Sequence, residues 1–317
     1  MAKDDRKHII EVRDLVKRYR NAEVNAVDGV SFYVEEGSFF SLLGPNGAGK
    51  TTILSILITL LSKSSGEATV AGYDVEEEPG LVRTHIGVIF QNASLDVHLT
   101  AEENVRFHAN LYGLYPYRPT FSLMDVDYQE RVMELAEIVG ITGEMHKPVK
   151  AFSGGMKRKL EIIRSLMHKP EVLFLDEPTT GLDPISRTNL WQYLKRVRRE
   201  ERTTIFLTTH YLEEAEGADY LCIIDRGKLI AKGMPEEVKE VLVDRYVEVD
   251  AAERTRLAAE LKKRGLKFTG KGPFRVAMNG VSVAQVIQQT KTPLTRVKVY
   301  SPTLEQAYVK IIEEQDV

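Results

Sequence analysis

A glycine-rich segment between an apolar run and a helical run is the first candidate for chemistry in this chain. Residues 44–51 read Gly-Pro-Asn-Gly-Ala-Gly-Lys-Thr, follow the apolar run FFSLL and fit the pattern G-x-x-x-x-G-K-[ST]. Glycines let backbone N–H groups curl around phosphates, and the positive end of the following helix points at them. In this pattern Lys50 reaches the β and γ phosphates and the Thr51 hydroxyl binds Mg²⁺. The segment predicts a binding site for a nucleoside triphosphate.

The short run VLFLD, at residues 172–176, ends in the carboxylate of Asp176, and a second carboxylate, Glu177, follows at once. An acidic residue at the carboxyl end of a buried parallel strand projects into the ligand crevice of an α/β fold. Asp176 is therefore expected to help hold Mg²⁺, as in other P-loop enzymes. Glu177, the next residue, is then placed to polarise the attacking water. A solvated acidic turn before Pro178 is the plainer alternative.

The segment FSGGM, residues 152–156, precedes the strongly basic helical run MKRKLEIIRSLM. Ser153 is expected to cap that helix, and a cap alone would explain a Ser-Gly-Gly sequence. Gly154 and Gly155 would also let a phosphate approach the exposed N–H groups. Because the segment lies just upstream of VLFLDEPTTGLDP, we interpret it as a second anion site.

The elements around these motifs predict an α/β fold. VLFLD is a short apolar strand, typical of a parallel sheet covered on both faces, and TTIFLTTH is expected to be the next buried strand. After about residue 240 the order β-α-β-β-α-β predicts a small ferredoxin-like domain. We therefore expect two domains, at residues 1–240 and 245–317, with a helical subdomain at about 98–168.

Composition is that of a soluble globular protein. The chain has 317 residues, 43% of them hydrophobic, and a net charge of −3, which argues against a nucleic-acid partner. Its one cysteine, Cys222, lies in an apolar run and is expected to be a buried thiol. The longest apolar stretch, ILSILITLL, is far shorter than the ~20 residues that span a bilayer. Any work at a membrane is expected to pass through a partner.

In this order, GPNGAGKTT, FSGGM, VLFLDEPTTGLD and LTTH resemble the nucleotide-binding domain of ABC ATPases, over residues 8 to about 240. The resemblance implies a P-loop NTPase fold of ABC type, with an antiparallel β subdomain and an α-helical subdomain. It also implies ATP and Mg²⁺ as ligands and a homodimer of two such domains facing head to tail. ATP would lie between the phosphate loop of one copy and the FSGGM segment of the other.

The resemblance also assigns roles to residues that are weak signals by themselves. Tyr19 would stack on adenine, Gln91 would contact Mg²⁺ and sense a membrane partner, and His210 would contact the γ-phosphate. Asp183, in GLD, would cross the dimer interface. The residues expected to bind ATP are Tyr19, Gly44, Asn46, Gly47, Ala48, Gly49, Lys50, Thr51 and Thr52. Lys50, Glu177 and His210 are the expected catalytic residues.

One position departs from the commonest form of the family, because Met156 stands where glutamine is usual and cannot offer an amide to a nucleotide. SGGM followed by basic residues, together with SPTLEQAY near the C-terminus, resembles the ATPase subunits of daunorubicin-resistance-type exporters of drugs, lipids and polysaccharides. This implies export through a separate transmembrane permease, from the cytoplasmic face of the membrane.

Three other functions share this type of ATPase. An import ATPase with a C-terminal regulatory domain is the main alternative. A DNA-repair or chromosome ATPase would need long coiled coils between the motifs, and no sustained heptads are present. A translation factor of this type would need two phosphate loops in one chain, and the sequence has one.

Overall fold

A computed structural model describes most of the chain. The described residues are 8–91, 94–242, 246–278, 282–300 and 303–315. The chain divides into two compact units, Met1–Lys232 and Gly233–Val317. Ser301 and Pro302 of the C-terminal SPTLEQAY segment lie outside the described residues.

A six-stranded sheet forms the centre of the first unit, with strand order β10-β9-β3-β8-β7-β6. Its strands are β3 (Phe39–Leu43), β6 (Ile86–Ile89), β7 (Val172–Asp176), β8 (Thr204–Thr209), β9 (Tyr220–Asp225) and β10 (Lys228–Gly233). The neighbours from β9 to β6 pair in parallel. Every residue of β3, β7 and β8 is buried, as expected for strands covered on both faces.

A second, antiparallel sheet has the order β2-β1-β4-β5. Its strands are β1 (His8–Lys17), β2 (Val27–Glu35), β4 (Ser65–Val70) and β5 (Tyr73–Asp74). One hydrophobic core joins this sheet, the central sheet and α1 (Lys50–Leu57). Phe32 of β2 stacks on Phe40 of β3 with ring centroids 5.2 Å apart. The shared core fixes the helix that follows the glycine-rich loop.

The remaining helices of the first unit pack mainly on a second core at the other face of the central sheet. Helix α2 (Pro79–His85) packs on the first core through Val82, and α7 (Leu212–Ala215) follows β8. The helices on the second core are α3 (Ala101–Leu111), α4 (Val126–Val139), α5 (Gly154–Leu166) and α6 (Pro184–Glu201). Thr100 and Glu103 form a capping box at the start of α3, which satisfies N–H groups that the helix itself cannot. Ser153 caps α5 through a bond from the Met156 N–H.

The second unit has its own core beneath a four-stranded sheet of order β12-β13-β11-β14. Its elements are α8 (Pro235–Leu242), β11 (Tyr246–Ala251), α9 (Arg254–Lys263), β12 (Phe268–Thr269), β13 (Phe274–Ala277), α10 (Val283–Gln289), β14 (Leu294–Tyr300) and α11 (Leu304–Gln315). From β11 to β14 the element order is β-α-β-β-α-β. Helix α8 packs against α11, so it lies in this unit, although the sequence boundary at 240–245 assigned it to the first.

Candidate active site

The glycine-rich loop runs from the end of β3 to the start of α1, and two of its glycines have no room for a side chain. A Cβ atom on Gly44 would lie 2.3 Å from the carbonyl oxygen of Ile224. A Cβ on Gly49 would lie 2.5 Å from the carbonyl oxygen of Ala26, and the φ of Gly49 is +109°. Only glycine tolerates both the contact and this dihedral. The loop is thus fixed with its backbone open to a ligand.

Lys50, the first residue of α1, is 4% exposed. Its Nζ donates to the carbonyl oxygens of Gly44, at 2.8 Å, and Pro45, at 3.0 Å, and lies 3.4 Å from Oε1 of Glu177. Burial lowers the pKa of the ammonium, and the charge of Glu177 opposes that shift. A buried cation held by neutral carbonyls is well prepared for a polyanion such as a phosphate chain.

Asp176 ends β7 and lies close to two hydroxyl groups. Its Oδ1 accepts from Thr51 Oγ1 at 3.5 Å and from Thr208 Oγ1 at 2.5 Å. Burial raises the pKa of this carboxyl, while the bond from Thr208 lowers it. Carboxylate and hydroxyl oxygens are hard ligands of the kind that Mg²⁺ takes. Thr208 was missed by the sequence analysis, although β8 pairs in register with β7 and sets it opposite Asp176.

Glu177 also lies close to Gln91 and His210, which come from two other segments of the chain. Nε2 of Gln91 donates to Glu177 Oε2 at 3.5 Å. Nδ1 of His210 approaches Glu177 Oε1 to 3.1 Å without forming a hydrogen bond. The backbone of Glu177 has φ +45°, and its N–H donates to the Thr208 carbonyl oxygen at 3.0 Å. This left-handed conformation costs a non-glycine residue on the order of 1–3 kcal/mol, so the surrounding contacts must hold it.

Tyr19 lies at the rim of this cleft with 45% of its surface exposed. Its hydroxyl lies 3.2 Å from Oγ1 of Thr52. The cleft has a volume of about 450 Å³ and is lined by Tyr19, Ala26, Asn46, Gly47, Gly49, Lys50, Thr51, Thr52, Gln91 and Glu177. The exposed ring at one end and the phosphate loop at the other suit a base and its phosphates.

The FSGGM segment and Asp183 line a different part of the surface. Ser153 and Gly155 line a second cleft, together with Leu182 and Ser186. Asp183 caps α6 by accepting from the Ile185 and Ser186 N–H groups, both at 3.0 Å. The Met156 side chain is partly buried against the helical core, where it serves packing. Within one chain, Asp176 and Glu177 therefore lie beside the phosphate loop, whereas the FSGGM segment lies on a different part of the surface.

Glu214 is a further buried carboxylate that the sequence analysis missed. It is 5% exposed and accepts from the hydroxyls of Thr179 and, at 2.6 Å, Thr209. The Tyr211 N–H donates to Thr209 Oγ1 at 2.9 Å, so these bonds hold the chain on both sides of His210. In sequence Glu214 is one of several acids in YLEEAEG, and nothing there marks it as buried.

Residues 27–180 match the family model described as ABC transporter. The probable multidrug ABC transporter ATP-binding protein YbhF of Escherichia coli K12 is 38% identical over 73% of this chain, which spans 38% of the length of YbhF. The daunorubicin resistance ATP-binding protein DrrA3 of Streptomyces coeruleorubidus is 35% identical over 95% of both chains.

Among solved structures, the ATP-binding cassette MJ0796 superposes with a TM-score of 0.61 and 25% identity, covering 71% of this chain and 98% of that one. It was solved as a dimer in a post-hydrolysis state with ADP and Pi. The fold, the cleft and these relatives are all consistent with the family that the order of the sequence motifs indicates. The chain therefore belongs to the family of ABC transporter ATP-binding proteins.

Proposed function

We propose that this chain binds ATP with Mg²⁺ in the cleft below Tyr19 and that its hydrolysis powers export of a substrate through a separate membrane subunit. The observation that carries the proposal is the meeting of Lys50, Thr51, Asp176 and Glu177 beside one phosphate loop. Catalysis of phosphoryl transfer rests on positioning and on charge stabilisation, and these four side chains supply both.

The glycine-rich loop and Lys50 bind the phosphates of ATP. The loop N–H groups and the buried ammonium hold the phosphates, and the exposed ring of Tyr19 stacks on the adenine. Thr51 and Asp176 provide hydroxyl and carboxylate oxygens for Mg²⁺. When bound, Mg²⁺ neutralises charge that develops on the phosphate oxygens.

Hydrolysis falls to Glu177 and its two neighbours. The carboxylate orients a water molecule and accepts its proton as the water attacks the γ-phosphate. Gln91, whose Nε2 lies 3.5 Å from Oε2 of that carboxylate, holds it in place, and His210 Nδ1 lies 3.1 Å from Oε1. His210 also contacts the γ-phosphate.

A second copy of the chain completes the site. Ser153, Gly154 and Gly155 lie outside the cleft of their own chain, at the N-terminus of the thirteen-residue helix α5. In a head-to-tail dimer this helix end faces the ATP of the partner, where its dipole favours negative charge. Asp183 lies next to this surface and would contact the partner at the dimer interface. MJ0796, which was solved as a dimer with ADP and Pi, supports a two-chain assembly.

A separate transmembrane permease carries the substrate across the membrane, and this chain would bind that permease at the cytoplasmic face. Among the described residues, no helix is both long enough and apolar enough to cross a bilayer. Relatives named for multidrug transport and daunorubicin resistance favour export over the import alternative, and they equally disfavour DNA repair and translation.

Mixing two inactive variants tests the shared site. Lys50→Ala removes the phosphate-binding ammonium, and Ser153→Arg blocks the segment that faces the partner. We expect each variant alone to be inactive, because both sites of its homodimer are damaged. In a mixed dimer, the intact Lys50 of one chain meets the intact Ser153 of the other at one site. Phosphate release by the mixture should therefore return to about a quarter of the wild-type rate, as random pairing gives half mixed dimers with one site each.

A second mixture is the control. Lys50→Ala and Glu177→Gln lie on the same side of the site, so no pairing of these two chains restores an intact site. Recovery in this control, or failure of recovery in the first mixture, would contradict the head-to-tail dimer.

A further inference from the structure

Three charged side chains on α5 form a buried cluster that the proposed chemistry does not use. The Arg158 side chain is 7% exposed and Glu161 is 2% exposed, and their Nη1 and Oε2 atoms are 2.8 Å apart. Arg164 adds a second guanidinium, 4.0 Å from Glu161. Replacing buried ion pairs by apolar side chains of similar volume is often neutral or stabilising, so packing alone does not require this cluster.

The cluster holds the loop that carries Gln91 by its backbone. Arg158 donates to the carbonyl oxygens of Phe90, at 2.6 Å, and Gln91, at 3.0 Å. On the far side of the loop, the Ser94 N–H donates to Glu161 at 3.1 Å. Arg164 donates to the Ser94 carbonyl oxygen at 2.6 Å. Gln91 and Ser94, the described residues on either side of positions 92 and 93, are therefore both hydrogen-bonded to α5.

The position of Arg158 links two functional elements. On one side, the Gln91 side chain reaches the Glu177 carboxylate. On the other side, Ser153 caps the same helix that carries Arg158. A movement of α5 would therefore be transmitted through Arg158 to the loop and to the carboxylate.

We propose that Arg158 is a positioning residue that ties Gln91, and through it Glu177, to helix α5. The position of Glu177 in a chain's own cleft is then tied to the placement of α5, the helix whose N-terminus carries Ser153. This inference rests on the proposed ATPase function and on the head-to-tail dimer.

An arginine-to-lysine change at position 158 tests the proposal. Lysine keeps the charge beside Glu161 but cannot reach two carbonyls with one planar fork. We expect the ATP concentration at half-maximal rate to stay within about twofold, while kcat falls about tenfold to a hundredfold, since a small misplacement of catalytic groups has effects of this size.

Arg131→Lys is the matched control. Arg131 is also 7% exposed and forks between Glu201, at 2.7 Å, and the Leu166 carbonyl oxygen, at 2.9 Å, away from the Gln91 loop. We expect this variant to lose thermal stability as Arg158→Lys does, with kcat unchanged. If Arg158→Lys does not fold, Arg158→Met removes the fork and leaves Glu161 beside Arg164, and the same loss of kcat is expected.

The proposal is overturned if the Arg158 variants keep the wild-type kcat, or if both Arg→Lys variants lose activity only in proportion to stability. A wild-type chain that does not hydrolyse ATP would instead contradict the proposed function, and the inference with it.

Discussion

A Glu177→Gln variant is expected to bind ATP as the wild type does and to hydrolyse it about a hundred to ten thousand times more slowly, the usual contribution of a general base. Glutamine keeps the size of the side chain and an oxygen for the contact with Gln91, but it cannot accept a proton from water. Losing the negative charge beside the phosphates also favours the ATP-bound state. Phosphate release gives the rate, and light scattering in ATP and Mg²⁺ should show an accumulated dimer.

Glu213→Gln is the control for this charge change, because Glu213 is exposed on the short helix α7. We expect it to hydrolyse ATP at the wild-type rate and to accumulate no dimer. Wild-type turnover by Glu177→Gln would remove Glu177 from its proposed role.

A Lys50→Met variant is expected to lose ATP affinity by about 10- to 100-fold. Hydrogen bonds to charged groups contribute about 1.5–3 kcal/mol, and each 1.4 kcal/mol is a factor of ten in affinity. Because burial lowers the pKa of Lys50, its charge costs folding free energy in the absence of nucleotide. The nucleotide-free variant should therefore have a thermal midpoint at least as high as that of the wild type. Calorimetric titration with ATP and thermal unfolding measure the two quantities.

Lys262→Met makes the same charge change at an exposed position of the second unit. It should leave the affinity for ATP unchanged. Equal affinities of wild type and Lys50→Met would show that the phosphates bind elsewhere, whereas a large fall in thermal midpoint would show that Lys50 serves the fold.

The phosphate loop and the carboxylates after β7 could be predicted because each is a short continuous segment. In residues 44–51 the spacing of the glycines, Lys50 and Thr51 is enough to recognise the loop and the start of the helix. Asp176 and Glu177 stand at the end of a strand, and the apolar residues of that strand predict that it is buried. Each such signal is complete within a few residues, so no knowledge of distant contacts is needed.

Contacts between segments far apart in the chain could not be predicted in this way. Arg158 reads as one member of a basic run, and only the fold brings it to the Phe90 and Gln91 carbonyl oxygens. Thr208 and Glu214 are equally inconspicuous, because their burial and their partners depend on how β8 lies beside β7. The place of α8 in the second unit likewise depends on α11, more than sixty residues later.

The dependence of ATP hydrolysis on protein concentration tests the shared, two-chain site most directly. At saturating ATP and Mg²⁺, the rate of phosphate release per chain is measured as the purified protein is diluted. If two chains form each site, the rate per chain falls on dilution, in step with the loss of dimer seen by light scattering. A rate per chain that stays constant after the dimer has dissociated would contradict the account.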